Sequence, residues 1–182
     1  MLLKIGDSKG QSIIETLVAV AIIVVGLVGI LALVVNALAA GKISKETVIG
    51  TNLAREGIEV VRSVRDTNWF AKKSFDEGIL GGGEVRYLKP TFNPNKNDWE
   101  LISGSSTDLF SDEYKLYFKD YYNYSKAGTD SGFWRVIIAR RNLVDPNQLE
   151  ITAKVGWMEK GKEKQIILSD YLTDWLTEKS VE

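Results

Sequence analysis

The sequence predicts an α+β protein in which one long N-terminal helix packs on an antiparallel β-sheet. An unbroken apolar run from Leu17 to Val35 carries no charge and is as long as a membrane span. Amphipathic spacing then continues to about Asn68. Apolar and polar residues alternate between Leu149 and Trp157, which is typical of a half-buried strand. A small sheet with one apolar face needs a cover, and the amphipathic half of the helix can supply it.

The helix is expected to begin near Ser12, because Ser12 and Glu15 match the capping-box pattern. At about 1.5 Å per residue, the apolar run extends about 28 Å, close to the hydrocarbon thickness of a bilayer. The helix should continue past the run and end near residues 66–68. Its buried face is predicted from residues at amphipathic spacing: Ile49, Leu53, Ile58, Val60, Val61 and Val64.

Residues 70–113 are rich in turn-forming residues, and only two short strands are expected among them. The C-terminal half reads as an antiparallel sheet with a hairpin turn at Glu159–Lys162. A short final turn or strand is expected at residues 171–176. The six predicted strands are Val85–Leu88, Trp99–Ile102, Tyr114–Phe118, Phe133–Arg141, Leu149–Trp157 and Glu163–Leu168.

The composition excludes several kinds of chemistry. The chain has no cysteine, so it has no disulfides, iron–sulfur clusters or thiolate zinc sites. It also has no histidine, which removes the commonest general base and metal ligand. A net charge of −1 gives no global attraction to nucleic acid or anionic lipid. We therefore expect no catalytic residues, no cofactor and no resident metal.

Three minor features of the sequence leave alternatives open. A calcium loop at Asn93, Asn95 and Asn97 is disfavoured against a solvated loop, because it lacks the glycine and glutamate of such loops. The carboxylates near that segment are Asp108, Asp112 and Glu113. The aromatic segment 121–124 could contact a partner or a polysaccharide, although core packing or a tyrosine-rich loop is favoured. The pair Arg140–Arg141 is too small to give useful phosphate affinity.

The first residues carry the most specific motif. Lys9-Gly10 followed by Gln11-Ser12-Ile13-Ile14-Glu15-Thr16-Leu17 resembles the prepilin cleavage and methylation motif of type IV pilins and type II secretion pseudopilins. The resemblance implies cleavage after Gly10, N-methylation of the new terminus at Gln11, and a docking role in assembly for Glu15. Residues 52–69 and the sequence Tyr171-Leu172-Thr173-Asp174-Trp175 resemble, less specifically, minor pilin-like proteins of the modification type.

The resemblance also implies how the chain is organised. Residues 1–10 would be a leader, 11–40 a transmembrane and filament-core helix, 41–68 its amphipathic continuation, and 69–182 an extracytoplasmic β-sheet domain. The sequence departs from the family pattern at two points, and the second of them, the lack of a proline, favours a minor or pseudopilin-like subunit. Gln11 stands where the family usually has Phe or Met, and a terminal glutamine can cyclise and lose its amine charge. No proline interrupts the apolar run near Ala32.

The function implied is that of a structural subunit of a type IV pilus-like or pseudopilus filament. Its partners would be other pilin subunits, a prepilin peptidase and methyltransferase, the assembly machinery and the membrane, with no specific nucleic acid. It would be a single-pass inner-membrane protein before assembly and part of an extracytoplasmic, cell-surface filament afterwards. The alternative is a single-span anchored binding module that never polymerises and keeps its leader.

Overall fold

The structure, a computed structural model, describes residues 13–174. A single helix, α1, covers Ile13–Phe70. The rest of the chain forms one sheet of seven strands, with a short 3₁₀ turn at Asp112–Tyr114 before the third strand. The strands are β1 Val85–Asn93, β2 Asp98–Gly104, β3 Lys115–Phe118, β4 Tyr122–Asn123, β5 Thr129–Arg141, β6 Gln148–Glu159 and β7 Lys162–Thr173.

The sheet is built around β5, which is its longest strand. One edge of β5 pairs with β1 and β3, and its other edge pairs with β6. Strand β2 extends the sheet beyond β1, β4 pairs with β3, and β7 pairs with β6. Each of these pairings is antiparallel. The tight turn between β6 and β7 places Lys160 and Gly161 at φ 50° and 75°, as a two-residue hairpin turn requires.

The chain forms two compact units, and the boundary between them lies within α1, between Ser44 and Lys45. In the first unit, every described residue from Ile13 to Leu38 is exposed. In the second unit, one face of α1 packs on the sheet. This core joins helix residues to the inward faces of β5 and β6; its buried members include Leu53, Ala54, Ile58, Val61, Ile137, Ala139, Leu149, Ile151, Ala153, Val155 and Trp157.

The predicted α+β fold, with a long helix packed on an antiparallel sheet, is confirmed. The alternation predicted for β6 is also confirmed, because Leu149, Ile151, Ala153, Val155 and Trp157 are all buried. Several strands are longer than predicted: β1 and β2 form a full hairpin, and β7 continues to Thr173. Strand β4 was not predicted at all, since two residues give no periodic signal.

Residues 71–84, which belong to the stretch expected to be rich in turns, contribute to the core. Phe75, Ile79 and Leu80 are buried there beneath the end of α1. Asn68 holds this segment by donating hydrogen bonds to the carbonyl oxygens of Phe75 and Glu77. Sequence periodicity misses such a segment, because its apolar residues fit neither a helical nor a strand repeat.

Candidate functional site

The first part of α1 is the candidate membrane and assembly segment. It is long and apolar enough to cross a membrane by length and composition, and none of its most apolar stretch is buried. Glu15 lies in the first turn of α1 and is exposed. The predicted cleavage and methylation residues, Gly10 and Gln11, lie outside the described residues, as does the predicted cap Ser12.

Two glycines bring the second part of α1 close to the sheet. A Cβ atom at Gly50 would lie 3.0 Å from Cζ3 of Trp157, and a Cβ atom at Gly57 would collide with Cδ1 of Ile137. Both glycines are buried. Glycine is a poor helix former, so helix propensity does not explain their presence in α1. Their role is to let the helix backbone approach β5 and β6.

Arg135 is the central polar group of the helix–sheet interface. It lies on the inward face of β5 and its side chain is fully buried. Its Nη1 donates to a carboxylate oxygen of Glu56 at 2.6 Å and to the backbone carbonyl of Leu53 at 3.3 Å. Its Nη2 donates to the carbonyl of Pro90 at 3.1 Å, and its Nε donates to the hydroxyl of Tyr124 at 3.1 Å. One guanidinium therefore ties α1, β1 and the segment after β4 to the centre of the sheet.

The ionisation of this cluster is fixed by its surroundings. Burial alone would lower the pKa of Arg135, but its interactions with Tyr124 and Glu56 outweigh burial and keep that pKa above its ordinary value. Burial raises the pKa of Tyr124, so its hydroxyl stays protonated and donates to the carbonyl of Arg135 at 3.1 Å. The cluster is charged, paired and structural in the second unit.

The sequence analysis did not single out Arg135. A signal was present, because Phe133, Arg135, Ile137 and Ala139 alternate along one predicted strand and so share its inward face. A charged residue in such a series indicates a buried ion pair, since buried charges are almost always paired.

The tyrosine segment 121–124 divides between the core and the surface. Tyr124 belongs to the Arg135 cluster and, like Tyr122, packs against the main core, as the core-packing alternative for this segment predicted. Tyr121 and Tyr122 line an open groove of about 260 Å³ together with Glu56, Phe92 and Trp99, and Tyr122 also packs against the main core. The Phe92 ring centroid lies 5.5 Å from those of Trp99 and Tyr121, with interplanar angles of 62° and 85°. We call Phe92, Trp99, Tyr121 and Tyr122 the aromatic groove.

The aromatic groove continues into a neighbouring concavity. This second cavity, of about 320 Å³, shares Phe92 and Tyr121 with the first, and its further lining includes Pro94, Lys119 and Asn123. The two together make an extended apolar surface with one lysine at its side. Sequence reasoning found only the tyrosines, because Phe92 and Trp99 reach the groove through the pairing of β1 with β2.

The carboxylates near the segment 93–97 are engaged within the protein. Both oxygens of Glu113 accept backbone or side-chain hydrogen bonds from Ser105 at 3.0–3.2 Å, and Oε1 also accepts from Lys89 at 3.0 Å. Asn93 donates to Glu100 and accepts from the backbone of Asn95 in the turn between β1 and β2. Among residues 13–174, no group of three or more His, Cys, Asp or Glu side chains is arranged to hold a metal ion.

The basic pair at the end of β5 is split. Arg141 forms an ion pair with Asp76 and donates to the carbonyl of Pro146 at 3.0 Å, so it ties the segment after α1 to the hairpin loop after β5. Arg140 is exposed on the outer face, where its register partner is Glu150. The two arginines therefore do not form a joint surface for phosphate.

The architecture as a whole is pilin-like: one long N-terminal helix, apolar and exposed in its first part, packs by its second part on an antiparallel sheet. Comparisons with models of protein families, with curated proteins and with solved structures found no match.

Proposed function

We propose that this chain is a structural subunit, of the minor kind, of a type IV pilus-like or type II secretion pseudopilus filament. The observation that carries the proposal is the first part of α1, in which residues 13–38 are exposed and apolar apart from the single acid Glu15 and a few small polar residues. Such a surface is costly in water, so it needs lipid or other helices around it. A membrane would cover it before assembly, and the helices of neighbouring subunits would cover it afterwards.

Glu15 is the polar group that gives this packing a register. A carboxylate beside hydrocarbon is costly unless a cation pairs with it. If the chain is cut after Gly10, the α-amine of Gln11 on an adjoining copy supplies that cation. Cyclisation of Gln11 would remove the amine charge, so it would weaken the same contact.

The second unit would be the part displayed outside the filament core. Its sheet is fastened to the second part of α1 by Arg135, by the ion pair of Arg62 with Asp170 at 2.6 Å, and by the close approach at Gly57. These contacts suit a subunit whose helix is pulled into an assembly while its sheet domain stays folded. The proposal includes no catalytic activity, no cofactor and no specific nucleic acid. In this proposal the chain is a single-pass inner-membrane protein before assembly and part of an extracytoplasmic, cell-surface filament afterwards.

The test uses the full chain in its native host. Intact-mass measurement should show a terminus at Gln11 carrying one methyl group. The variant Glu15→Ala should be cut and inserted normally but recovered poorly in sheared filaments, because the neighbour's amine loses its partner. Glu163→Ala is the matched control, since it removes an exposed carboxylate from the outer part of β7 and should be incorporated normally.

Two results would count against the proposal. A purified chain that still begins at Met1 would favour the rival, an anchored binding module that never polymerises. Filaments that incorporate Glu15→Ala as well as the control would remove the assigned role of the acid.

A further inference from the structure

The second unit has an apolar tip at the end where α1 stops. Phe70, Leu143 and Val144 are 92%, 82% and 93% exposed, whereas every other large hydrophobic residue between residues 45 and 174 is at most 56% exposed. Phe70 is the last residue of α1, and Leu143 and Val144 lie in the loop between β5 and β6. The ion pair of Arg141 with Asp76 holds that loop beside the segment that follows α1. We call these three residues the apolar tip.

The loop that carries Leu143 and Val144 is held in a defined shape by hydrogen bonds. The Oδ1 atom of Asn142 accepts from the backbone amides of Val144 and Asp145 at 2.9 and 3.4 Å. The carboxylate of Asp145 accepts from the amide of Asn147 at 3.0 Å, and the carbonyl of Asn147 accepts from the amide of Asp174 at 2.8 Å. Leu143 and Val144 are therefore held out by a fixed turn, and their exposure does not come from fraying.

The aromatic groove has the complementary chemistry. Its one lining carboxylate, Glu56, is already paired with Arg135, so the groove floor carries little net charge. Lys119 lies at its side and forms no ion pair with any other residue between 13 and 174. The acid next to the apolar tip, Asp145, is likewise exposed and without an ion pair in that range. The apolar tip, with Asp145 beside it, is therefore complementary to the aromatic groove, with Lys119 beside it.

The tip and the groove lie at opposite ends of the sheet. The Tyr122 ring packs 6.4 Å from Phe133, near the start of β5, whereas Leu143 follows the end of that strand. Phe133 and the last residue of β5, Arg141, are eight positions apart, which is about 26 Å along the strand. A chain therefore does not fill its own groove. Because the apolar tip and the aromatic groove lie at different places on the same chain, a contact between them joins two copies head to tail. Such a contact can add further copies without closing into a ring.

We propose that the apolar tip of one copy docks into the aromatic groove of the next copy, with Asp145 facing Lys119. This inference rests on the proposed function and adds a specific contact between the sheet domains of successive subunits. The occupant is a second copy because both surfaces, with opposite charges beside them, belong to the same chain. Repetition of the contact gives an open row of subunits, as a filament requires.

The absence of cysteine from the chain makes a crosslinking test clean. Filaments from the native host carrying Lys119→Cys with Asp145→Cys should give, on mild oxidation, a ladder at multiples of the chain's own mass. Asp145→Cys with Lys162→Cys is the matched control, because Lys162 is exposed at the turn between β6 and β7, and it should give no ladder. Filaments without a ladder from the first pair, or crosslinks to a protein of another mass, would overturn the inference.

Charge reversal supplies the second test. Asp145→Lys or Lys119→Asp alone should lower recovery in filaments roughly tenfold, because like charges then face each other. The double variant should restore recovery. Single variants that incorporate normally would overturn the inference and leave the proposed function intact. By contrast, an uncut chain with no filaments would remove both, and N-terminal mass measurement distinguishes the two failures.

Discussion

At the scale of single residues, the second unit depends on one buried cation. Arg135 makes four hydrogen bonds to three separate segments, which uses four of the five N–H donors of a guanidinium. Such a group costs much desolvation, so it stabilises the native state only while its acceptors are in place. Glu56, with 39% of its side chain exposed, is the single charged acceptor.

Removing Glu56 should therefore destabilise the second unit more than the loss of an ordinary surface acid. We expect Glu56→Ala to lower the free energy of unfolding by about 2–4 kcal/mol, because Arg135 is left buried without its counter-charge. The measurement is denaturant unfolding of the full chain in detergent, followed by tryptophan fluorescence. Glu59→Ala, which removes a largely exposed acid one turn away, should cost less than about 1 kcal/mol. Equal effects of the two variants would contradict the assigned role of Arg135.

A second residue, Glu113, makes the stability of the fold depend on pH in the acid range. Partial burial alone would raise its pKa, but hydrogen bonds from Ser105, Lys89 and a neighbouring backbone amide lower the pKa of Glu113 from 4.5 to about 2. The ionised form of Glu113 is therefore more favoured in the folded chain than in the unfolded chain. Its contribution to stability is complete above pH 4.5 and is lost as the pH falls towards 2.

Replacement of Glu113 should remove part of this acid sensitivity. The expected contribution is roughly 2–3 kcal/mol, so Glu113→Gln should be less stable by that amount at pH 7 and should lose less stability between pH 4.5 and 2. Urea unfolding midpoints at several pH values measure it, with Glu163→Gln as the control. If the midpoints of Glu113→Gln and of the unchanged chain fall in parallel as the pH is lowered, Glu113 does not titrate as assigned.

At the scale of elements, α1 is one helix with two environments. Its first part presents apolar residues all round, whereas its second part presents a buried face containing Leu53, Val60 and Val61. Glycine serves differently in the two parts. Nothing lies within 4 Å of a Cβ atom placed at Gly26, Gly29 or Gly41, whereas Gly50 and Gly57 contact side chains of the sheet.

Alanine substitutions at the helix glycines should distinguish the effect of glycine on helix propensity from its effect on packing against the sheet. Gly57→Ala should destabilise the second unit by about 1–3 kcal/mol, because the new methyl group collides with Ile137 and this outweighs the gain of about 1 kcal/mol in helix propensity. Gly41→Ala, in open space, should be neutral or slightly stabilising. Thermal unfolding of the full chain in detergent measures both.

The collision itself can be tested by a double variant. Ile137→Val removes the Cδ1 atom that the new methyl group would meet. Ile137→Val should therefore lower the free energy of unfolding less in the Gly57→Ala variant than in the unchanged chain. Such a difference is a favourable coupling energy between the two neighbouring sites. Additive losses would mean that the glycine is needed for some other reason.

At the scale of the whole molecule, the second unit contains a complete hydrophobic core. Every buried hydrophobic residue of the described chain lies between Leu53 and Leu172. The described residues of the first unit contribute none of these buried side chains. Membrane insertion and filament packing would thus use the residues of the first unit, whereas the hydrophobic core of the folded domain uses residues of the second unit.

This separation predicts that residues 45–182 fold without the apolar segment. The shortened chain should be soluble and should unfold in one cooperative transition, as single domains of this size usually do. Circular dichroism and tryptophan fluorescence should report the same midpoint. A non-cooperative transition, or aggregation at every concentration tested, would show that the second unit needs residues before 45.

The sequence alone determined the apolar run, the amphipathic continuation of α1 and the strand β6, because each is a regular repeat of side-chain polarity along the chain. It also supplied the motif around Gly10, Gln11 and Glu15, from which the cleavage, methylation and docking roles are inferred. Only the tertiary structure brought together the Arg135 cluster, the aromatic groove and the apolar tip. Their members are far apart in the sequence, as Glu56 and Arg135 or Phe92 and Tyr121 show, and strand pairing decides which of them meet. Local periodicity reports which face of an element is buried, but it carries no information about the residue on the other side of the contact.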